Sequence, residues 1–444
     1  MNASVRTLRS QRRFSSPALN ACISLFRDRH PPAIADLLEN CLPNTLDTTV
    51  RLSRLDGKPD TFVITGDIDA MWLRDSTAQV WPYLALAADD AALRELLEGV
   101  IRRQTRCILI DPYANAFYSQ PTQGEWSGDL TQGHPLVHER KWEIDSLAYV
   151  IRLAHGYWKA TGDLSPFDNA WSEAMRAVVA TWRAEQEKEG DSPYRFMRPS
   201  IGSMNTLPLD GRGYPTAPVG LIRSAFRPSD DATTLPFLIP ANLFATRALR
   251  DLSSLWAAVG GDSAFAVECR AFAAEIEEAI HRHAIHPHAE FGPIYAYEID
   301  GYGGRIFMDD ANVPSLLSLS YLGCCDRNDP VYRATRAFVL SPRNPWFFRG
   351  IAAEGVGSPH TGMGRIWPIA LAMRALTSDD DGEITACLRM LAATTAGTGL
   401  MHEAFDRNDP SAFTRTWFAW ANSLFGELLL VLDRERPHLL QAFQ

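Results

Sequence analysis

The chain has 444 residues, of which 46% are hydrophobic and 22% charged, a balance typical of a globular protein with ample apolar material for a core. Lys and Arg total 43 against 53 Asp and Glu, which gives a net charge of -10. Because so acidic a chain repels phosphate backbones, we expect no nucleic-acid partner. No run of about 18 apolar residues occurs, so the sequence also predicts no membrane partner.

The cysteines and the N-terminal segment bear on the cellular compartment. The seven cysteines are odd in number, scattered and without Cys-x-x-Cys spacing, which supports neither a zinc ribbon nor a redox pair and favours free thiols in a reducing compartment. The basic start contains Arg12-Arg13, as in a twin-arginine signal, but Asn20, Ser24 and Arg27 interrupt the apolar stretch that such a signal needs. We therefore predict a cytoplasmic protein that keeps its N-terminus.

Apolar residues at spacings of three and four predict a series of amphipathic helices. In chain order the predicted helices cover 77–88, 91–108, 143–158, 168–188, 238–259, 263–284, 312–322, 330–340, 366–376, 383–396 and 417–432. Between 290 and 308 apolar and polar residues alternate around Gly301, Gly303 and Gly304. That alternation predicts a small β-hairpin inside one of the longer connections.

Two kinds of loop alternate between the predicted helices. Short connectors rich in Asp, Ser and Gly, which are helix-capping residues, lie at 87–91, 160–165, 259–263, 324–330 and 377–383. Long segments separate successive pairs, at 42–75, 109–142, 189–236, 285–311, 341–365 and 397–416. Short connectors make antiparallel helical hairpins, so we predict an all-α fold, an (α/α)6 toroid with the long loops at one end. No linker or composition break occurs, which favours a single domain over 1–444.

The long loops end in segments that are rich in Asp, Glu, Arg, His and Trp and poor in aliphatic residues. These segments are 66–76, 138–146, 226–232, 308–315, 357–368 and 399–423. In a toroid they would converge at the mouth of the ring, where carboxylates and Arg bind sugar hydroxyls and a pair of carboxyls cleaves a glycosidic bond. A single Asp before a helix, such as Asp75, Asp145 or Asp230, is more often an N-cap than a catalyst. The recurrence of the pattern in six loops is what favours a sugar site.

Four strings in these loops resemble those of glycoside hydrolase family 125. They are GDIDAMWLRDS, HERKWEIDS, FRPSDDATTLPFLIPANLFA and GLMHEAF, and the likeness runs in order over about 13–426. The resemblance implies a single catalytic (α/α)6 domain, an inverting exo-α-1,6-mannosidase whose partner is an α-mannoside oligosaccharide. By the same resemblance the general acid is the first Asp of Arg-Pro-Ser-Asp-Asp, Asp230, and the general base is the Glu of Met-His-Glu, Glu403. Chemistry alone does not separate Asp230 from Asp231.

The implied mechanism places requirements on these carboxyls. An inverting site holds its two carboxyls roughly 6.5–9.5 Å apart, with room for a water between base and sugar. Asp230 must hold a proton near neutral pH, through burial or a neighbouring negative charge, and we expect Asp231 to be one source of that charge. Glu403 must stay ionised to activate the water.

Further candidate substrate-binding residues lie in the same segments. They are Trp72, Arg74, Asp75, Glu143, Asp145, Arg227, Asp231, Asn312, Arg365, His402 and Trp420. For Arg74 with Asp75 and for Glu143 with Asp145, ion pairing between loops is the alternative to binding mannose hydroxyls.

The other candidates carry different roles. Arg227 is expected to hold the acid loop and Arg365 to line the pocket. Trp72 or Trp420 is expected to stack on a sugar ring. His402 either hydrogen-bonds the sugar or caps its loop, and the sequence leaves both alternatives open.

We expect no metal and no cofactor. Asp309, Asp310 and Asn312 resemble part of a calcium site, but the Asp-x-Asp-x-Asp-Gly spacing is missing. His360 and His402 lack partners at metal-ligand spacing.

Three other functions are the alternatives to this prediction. A toroid glycosidase of another specificity, such as an α-glucosidase or a glucuronyl hydrolase, fits the same pattern. A terpenoid cyclase does not, because its Asp-x-Asp-Asp motif is absent: Asp67-Ile68-Asp69 is followed by Ala70. A glycan-binding protein without catalysis is opposed by the intact Asp230 and Glu403.

Overall fold

The computed structural model describes residues 5–199 and 202–443. These residues form two compact units, each built from separate stretches of the chain. The first unit draws its residues from Met1–Asp69, Asp75–Val100 and Trp346–Gln444, and the second from Ala70–Arg74 and Ile101–Pro345.

Helices dominate the regular structure. In chain order they are α1 (Pro17–Arg29), α2 (Pro32–Cys41), α3 (Asn44–Thr48), α4 (Leu73–Val80), α5 (Ala91–Ile110), α6 (Ile144–Thr161), α7 (Asn169–Ala184), α8 (Pro208–Gly211), α9 (Ile239–Ala258), α10 (Ser263–His283), α11 (Pro330–Val339), α12 (Pro368–Leu376), α13 (Asp381–Ala393), α14 (Ala419–Glu435) and α15 (Pro437–Gln441). Short 3-10 helices lie at Arg9–Gln11, Trp81–Leu86, Ser203–Asn205 and Pro359–Thr361.

The strands are short and pair antiparallel within small sheets. They are β1 (Val50–Leu55), β2 (Lys58–Val63), β3 (Met71–Trp72), β4 (Ala116–Phe117), β5 (Val137–Glu139), β6 (Phe237–Leu238), β7 (Ile285–His288), β8 (Gly292–Tyr295), β9 (Glu298–Ile299), β10 (Arg305–Ile306), β11 (Phe347–Arg349), β12 (Glu354–Val356), β13 (Arg365–Ile366) and β14 (Phe405–Asp406). The pairings are β1–β2, β3–β4–β5, β6–β9–β10, β7–β8, β11–β12 and β13–β14. The predicted hairpin around Gly301 is present as β9–β10, while β8 pairs with β7 instead.

The short polar connectors end in helix caps, as the sequence predicts. The carboxylates of Asp168, Asp262 and Asp380 each accept a backbone N–H three residues later, at the starts of α7, α10 and α13. In the second unit α9 packs against α10 and α6, and in the first unit α12 packs against α13 and α14. Helices joined by short connectors are therefore neighbours in the fold.

The helix predicted over 312–322 is wrong, because this segment forms a series of turns. The Asp309 carboxylate accepts two backbone N–H groups there, at 2.8 and 3.0 Å. Ser315 and Ser318 each accept the backbone N–H of the other through a side-chain oxygen. Such local bonds from side chain to backbone compete with helical hydrogen bonding, and here they replace it.

The N-terminal helices α1 and α2 were not predicted, and they provide the missing neighbours of α14. Helix α14 packs against α2 and α3 in the first unit. Near its end Asp433 binds Arg29 at 2.7 Å and His30 at 2.7 Å. Helices α1, α2 and α14 of the first unit are thus held together by packing and by an ionic cluster.

Within 5–199 and 202–443, no helix combines the length and the apolar character that crossing a bilayer requires. The seven cysteines form no disulfide with one another.

A buried carboxyl in the second unit makes stability depend on pH. Glu185 accepts hydrogen bonds from the Tyr113 hydroxyl at 3.0 Å and the Ser192 hydroxyl at 2.5 Å. Burial raises its pKa to about 7, against about 4.3 for an unfolded Glu. Between these values the folded protein holds a proton that the unfolded chain releases, so stability falls as the pH rises.

We therefore expect Glu185→Gln, which cannot ionise, to unfold at a higher temperature than the wild type at pH 8. The advantage, at most about 4 kcal/mol from the pKa difference, should shrink at pH 5. Scanning calorimetry at the two pH values measures it, with the exposed Glu435→Gln as control. An equal difference at both pH values would show that the Glu185 proton does not control stability.

Candidate active site

The predicted general acid lies in a tight turn and not at a helix N-cap. The Asp230 N–H donates to the Arg227 carbonyl at 2.9 Å, and the Arg227 N–H donates to the Asp231 carbonyl at 2.7 Å. Asp230 has a positive φ of 64°, a region that costs most side chains energy but that Asp tolerates better than most. The next helix, α9, begins only at Ile239. The N-cap alternative for Asp230 is therefore wrong, and its carboxyl is left for other contacts.

Three carboxyls from two separate segments of the chain surround the guanidinium of Arg74. Its Nη1 donates to Glu143 Oε2 at 2.5 Å and to Asp145 Oδ2 at 3.3 Å, and its Nη2 donates to Asp230 Oδ1 at 3.0 Å. The side chains of Arg74, Glu143 and Asp145 are at most 3% exposed, whereas that of Asp230 is 22% exposed. Of these four groups, Asp230 is the one that a ligand can reach from solvent.

In the acid cluster, Arg74 with Glu143, Asp145 and Asp230, burial disfavours ionisation of the carboxyls. Burial raises the pKa of Glu143 well above its ordinary value, opposed by Arg74 and reinforced by Asp230 and Asp145. Burial likewise raises the pKa of Asp145 to about 6, again opposed by Arg74. One guanidinium does not balance the three carboxylates around it, which favours protonation of part of them. The negative neighbours of Asp230 therefore include Glu143 and Asp145, in addition to the Asp231 proposed from sequence.

Two residues that sequence analysis did not assign complete the surroundings of Asp230. The buried Asn115 amide donates to Asp230 Oδ1 at 3.2 Å and to Glu139 Oε2 at 3.0 Å. The Lys141 ammonium donates to the Asp230 carbonyl at 2.7 Å and lies 3.3 Å from Glu139 Oε1. Lys141 lies inside the HERKWEIDS string, so a sequence motif could have marked it as a candidate site residue. Asn115 lies in no recognisable motif.

Other predicted binding residues of the second unit are buried. Arg227 donates through Nε to Glu298 Oε1 at 2.6 Å, and its backbone holds the turn that carries Asp230. Asn312 donates through Nδ2 to Asp310 Oδ1 at 3.0 Å. Asp231 and both of these side chains are almost inaccessible. Their contacts are those of residues that shape the loops, and sugar contacts for them stay a prediction.

Trp72, expected as a stacking platform, lies against an imidazole. Its ring meets that of His138 edge-on, with 5.0 Å between ring centroids. Both side chains are buried. Trp72 lies two residues before Arg74 in the sequence, and its role as a sugar platform stays a prediction.

In the first unit, the predicted general base is held by two donors. The Thr414 hydroxyl donates to Glu403 Oε2 at 2.8 Å, and Arg415 Nε lies 3.1 Å from Glu403 Oε1. Arg415 Nη1 also donates to Asp67 Oδ1 at 2.9 Å, so the guanidinium is itself fixed. Both carboxyl oxygens of Glu403 act as acceptors, as those of an ionised carboxylate do. Thr414 and Arg415 lie in the segment 399–423 and Asp67 in the segment 66–76, and sequence analysis gave none of the three a role in the site.

His402 has the contacts of a residue that organises its loop. It is completely buried, and its ring stacks on Phe413 with centroids 3.9 Å apart and planes 4° apart. Its Nδ1 lies 3.0 Å from the Arg415 carbonyl oxygen. These contacts favour the loop-capping alternative, because they fix the segment that carries Arg415.

The remaining candidates of the first unit occupy the starts of helices and a strand. Asp75 is buried in the first turn of α4. Trp420 is buried in the first turn of α14, with its ring centroid 6.3 Å from that of Phe418. Arg365 lies opposite Asp406 in the β13–β14 pair. Asp406 follows Glu403 by three residues in the chain. Arg365 is thus close in the sheet to the strand that follows the predicted base.

The chain resembles known proteins over almost its whole length. The family model of metal-independent alpha-mannosidases (GH125) matches residues 31–430. The meiotically up-regulated gene 157 protein of Schizosaccharomyces pombe is 45% identical over 428 residues, which cover 92% of this chain and 84% of that protein. A Streptococcus pneumoniae metal-independent alpha-mannosidase, solved in a non-productive complex with alpha-1,6-mannobiose, is 42% identical. That match covers 96% of this chain and 100% of the other, with a TM-score of 0.92. The chain belongs to glycoside hydrolase family 125, the metal-independent alpha-mannosidases, and it is a glycoside hydrolase.

Proposed function

We propose that this α-mannosidase is an inverting exo-enzyme that removes terminal, non-reducing α-1,6-linked mannose. The observation that carries the proposal is the acid cluster, in which a partly exposed Asp230 shares one guanidinium with two buried carboxyls whose pKa values are raised. The α-1,6 linkage is supported by the mannobiose bound to the Streptococcus pneumoniae relative.

In the proposed reaction Asp230 is the general acid. It donates a proton to the glycosidic oxygen as the bond between that oxygen and C1 of mannose breaks, so that the remaining glycan leaves as an alcohol. Arg74 and Asn115 hold its Oδ1 from one side. The buried carboxyls of Glu143 and Asp145 beside it disfavour a further negative charge, which favours the protonated form of Asp230.

Glu403 is the general base of the proposed reaction. It accepts a proton from water as the water oxygen bonds to C1, so that one displacement converts the α-linked sugar to β-mannose. The Thr414 hydroxyl and the Arg415 guanidinium fix its orientation. The proton lost by Asp230 and the one gained by Glu403 balance over a single turnover.

The same family membership supports two broader proposals, and the cysteines support a third. The first is that the helical pairs belong to an (α/α)6 toroid within one catalytic domain. The second is that four buried or half-buried candidates bind the terminal mannose, namely Trp72, Asp75, Arg365 and Trp420. A cytoplasmic location is supported by seven cysteines that form no disulfide with one another.

A panel of α-1,2-, α-1,3-, α-1,4- and α-1,6-linked mannobiosides tests the proposed specificity. We expect free mannose mainly from the α-1,6 isomer, and equal rates with and without EDTA, since no step is assigned to a metal. Matched α-glucosides serve as the control for the sugar. Comparable cleavage of another linkage would overturn the α-1,6 assignment, and preferred cleavage of a glucoside would show a different specificity.

A further inference from the structure

A cavity in the second unit has no role in the reaction described above. The loop that runs from β4 into β5 encloses a volume of about 580 Å³, within the range of about 300–1,000 Å³ that is usual for small-molecule sites. Such a volume takes a ligand larger than one hexose. Side chains that line it include Tyr118, Trp126, Asp129, His134, His138 and Arg140.

The cavity wall is joined to the acid cluster by hydrogen bonds. Arg198 binds Asp129 through Nε at 2.8 Å and Nη2 at 2.6 Å, and it binds Glu139 through Nη1 at 2.9 Å. Asn115 in turn binds both Glu139 and Asp230. Nearly all of these groups are buried, so the wall and the Asp230 carboxyl are parts of one rigid network.

His138 supplies an unused polar group on this wall. It is 6% exposed, and neither ring nitrogen has a hydrogen-bond partner among residues 5–199 and 202–443. The nearest carboxylate, that of Glu125, is 4.0 Å from Nε2, beyond hydrogen-bond range. Burial lowers the pKa of His138, although Glu139, Glu125 and Asp230 oppose this. A neutral imidazole has one donor and one acceptor nitrogen, which suits a sugar hydroxyl.

Aromatic and polar side chains around His138 also suit a carbohydrate. The Arg198 guanidinium packs over the Trp126 ring, 3.6 Å from the ring centroid. This contact fixes the indole in place. Thr122, Gln123 and Gln132 add exposed hydroxyl and amide groups to the lining. A few placed polar groups beside aromatic surface are typical of ligand pockets.

We propose that this cavity binds the sugars on the leaving-group side of the scissile bond, so that the enzyme favours glycans longer than a disaccharide. This inference rests on the proposed function, because a general acid protonates the leaving-group oxygen and the leaving glycan therefore lies beside Asp230. Contacts to sugars remote from the bond stabilise the transition state only when those sugars are present, so a short substrate loses rate.

The test compares kcat/KM for α-1,6-mannobiose, α-1,6-mannotriose and α-mannosyl fluoride, whose leaving group is no sugar. We expect the wild type to prefer mannotriose to mannobiose by about tenfold, the equivalent of about 1.4 kcal/mol. Trp126→Ala and His138→Ala should each lower the ratio of kcat/KM for mannotriose to that for the fluoride by about tenfold. Trp158→Ala, at a half-buried Trp on α6, is the matched control and should keep the wild-type ratio.

Misfolding lowers both rates and leaves the ratio alone, so the ratio reports the cavity. Equal rates for the two oligosaccharides, with wild-type ratios in both cavity variants, would overturn the inference while leaving the proposed function intact. A wild type that releases no mannose from any of the three substrates would instead overturn the proposed function, and this inference with it.

Discussion

Asp230→Asn is expected to lower kcat/KM for α-1,6-mannobiose by about 10²–10⁴-fold, the usual contribution of general acid–base catalysis. The amide keeps the shape of the side chain but cannot donate the proton that a sugar alkoxide needs. A 2,4-dinitrophenyl α-mannoside, whose leaving group departs without protonation, should recover part of the rate. Kinetics on the two substrates measures this recovery. The alkaline limb of the pH profile should also flatten, because it reports loss of that proton.

Glu403→Gln should give a loss of similar size that no leaving group relieves. The base activates water, and a better leaving group does not supply that activation. Both variants should lose a similar amount of activity, so the size of the loss does not distinguish acid from base. Recovery with the activated mannoside does, because only the Asp230 variant should show it.

Asp231→Asn is the matched control for the acid. Asp231 is next to Asp230 but buried, with the Ser229 hydroxyl 3.3 Å from its Oδ2. We expect a smaller loss and no recovery with the activated mannoside. If Asp231→Asn proved more damaging and alone showed recovery, the acid would be the second Asp of the pair.

Arg74→Met should be the most destabilising single change in the acid cluster. It leaves the carboxyls of Glu143 and Asp145 buried without their cation, and breaking a buried ion pair typically costs about 3–5 kcal/mol. Because Arg74 lowers the pKa of both carboxyls, its loss raises them further above their unfolded values. The folded variant then holds protons that the unfolded chain releases, so its stability falls as the pH rises.

We therefore expect the difference in melting temperature between wild type and Arg74→Met to be larger at pH 8 than at pH 5. Adding Asp145→Asn should restore part of the loss, since it removes one of the uncompensated charges. Arg282→Met is the control, because its ion pair with Glu278 is more than half exposed on both sides and such pairs stabilise little. An equal loss at both pH values would mean that Arg74 acts through packing and not through charge.

Local signals in the sequence account for most of the helices that were predicted. Helices α5, α9 and α10 begin and end within a few residues of their predicted bounds, because an apolar stripe and a capping Asp are both local patterns. The β1–β2 hairpin had such a signal too and was missed. Its turn is Asp56-Gly57, both at positive φ, the pair that most strongly favours a two-residue hairpin turn.

Which residues contact one another in the site was harder to predict from the sequence. Arg74, Glu143 and Asp230 come from segments about 70 to 160 residues apart, and only the tertiary fold shows that they share one guanidinium. The contact of Asn115 with Asp230 has no local signature, because an amide in a long loop resembles any solvated Asn. The helix predicted over 312–322 failed for the opposite reason: its apolar spacing was helical, but serine and aspartate side chains bind its backbone.

The stereochemistry of the product tests the central claim most directly. One displacement by water, with Asp230 as acid and Glu403 as base, inverts the anomeric centre. Proton NMR during hydrolysis of α-1,6-mannobiose by the wild type should therefore show β-mannose first, followed by slow mutarotation to the α-anomer. Appearance of α-mannose first would contradict the account, because it would require two displacements and a nucleophile in place of the proposed base.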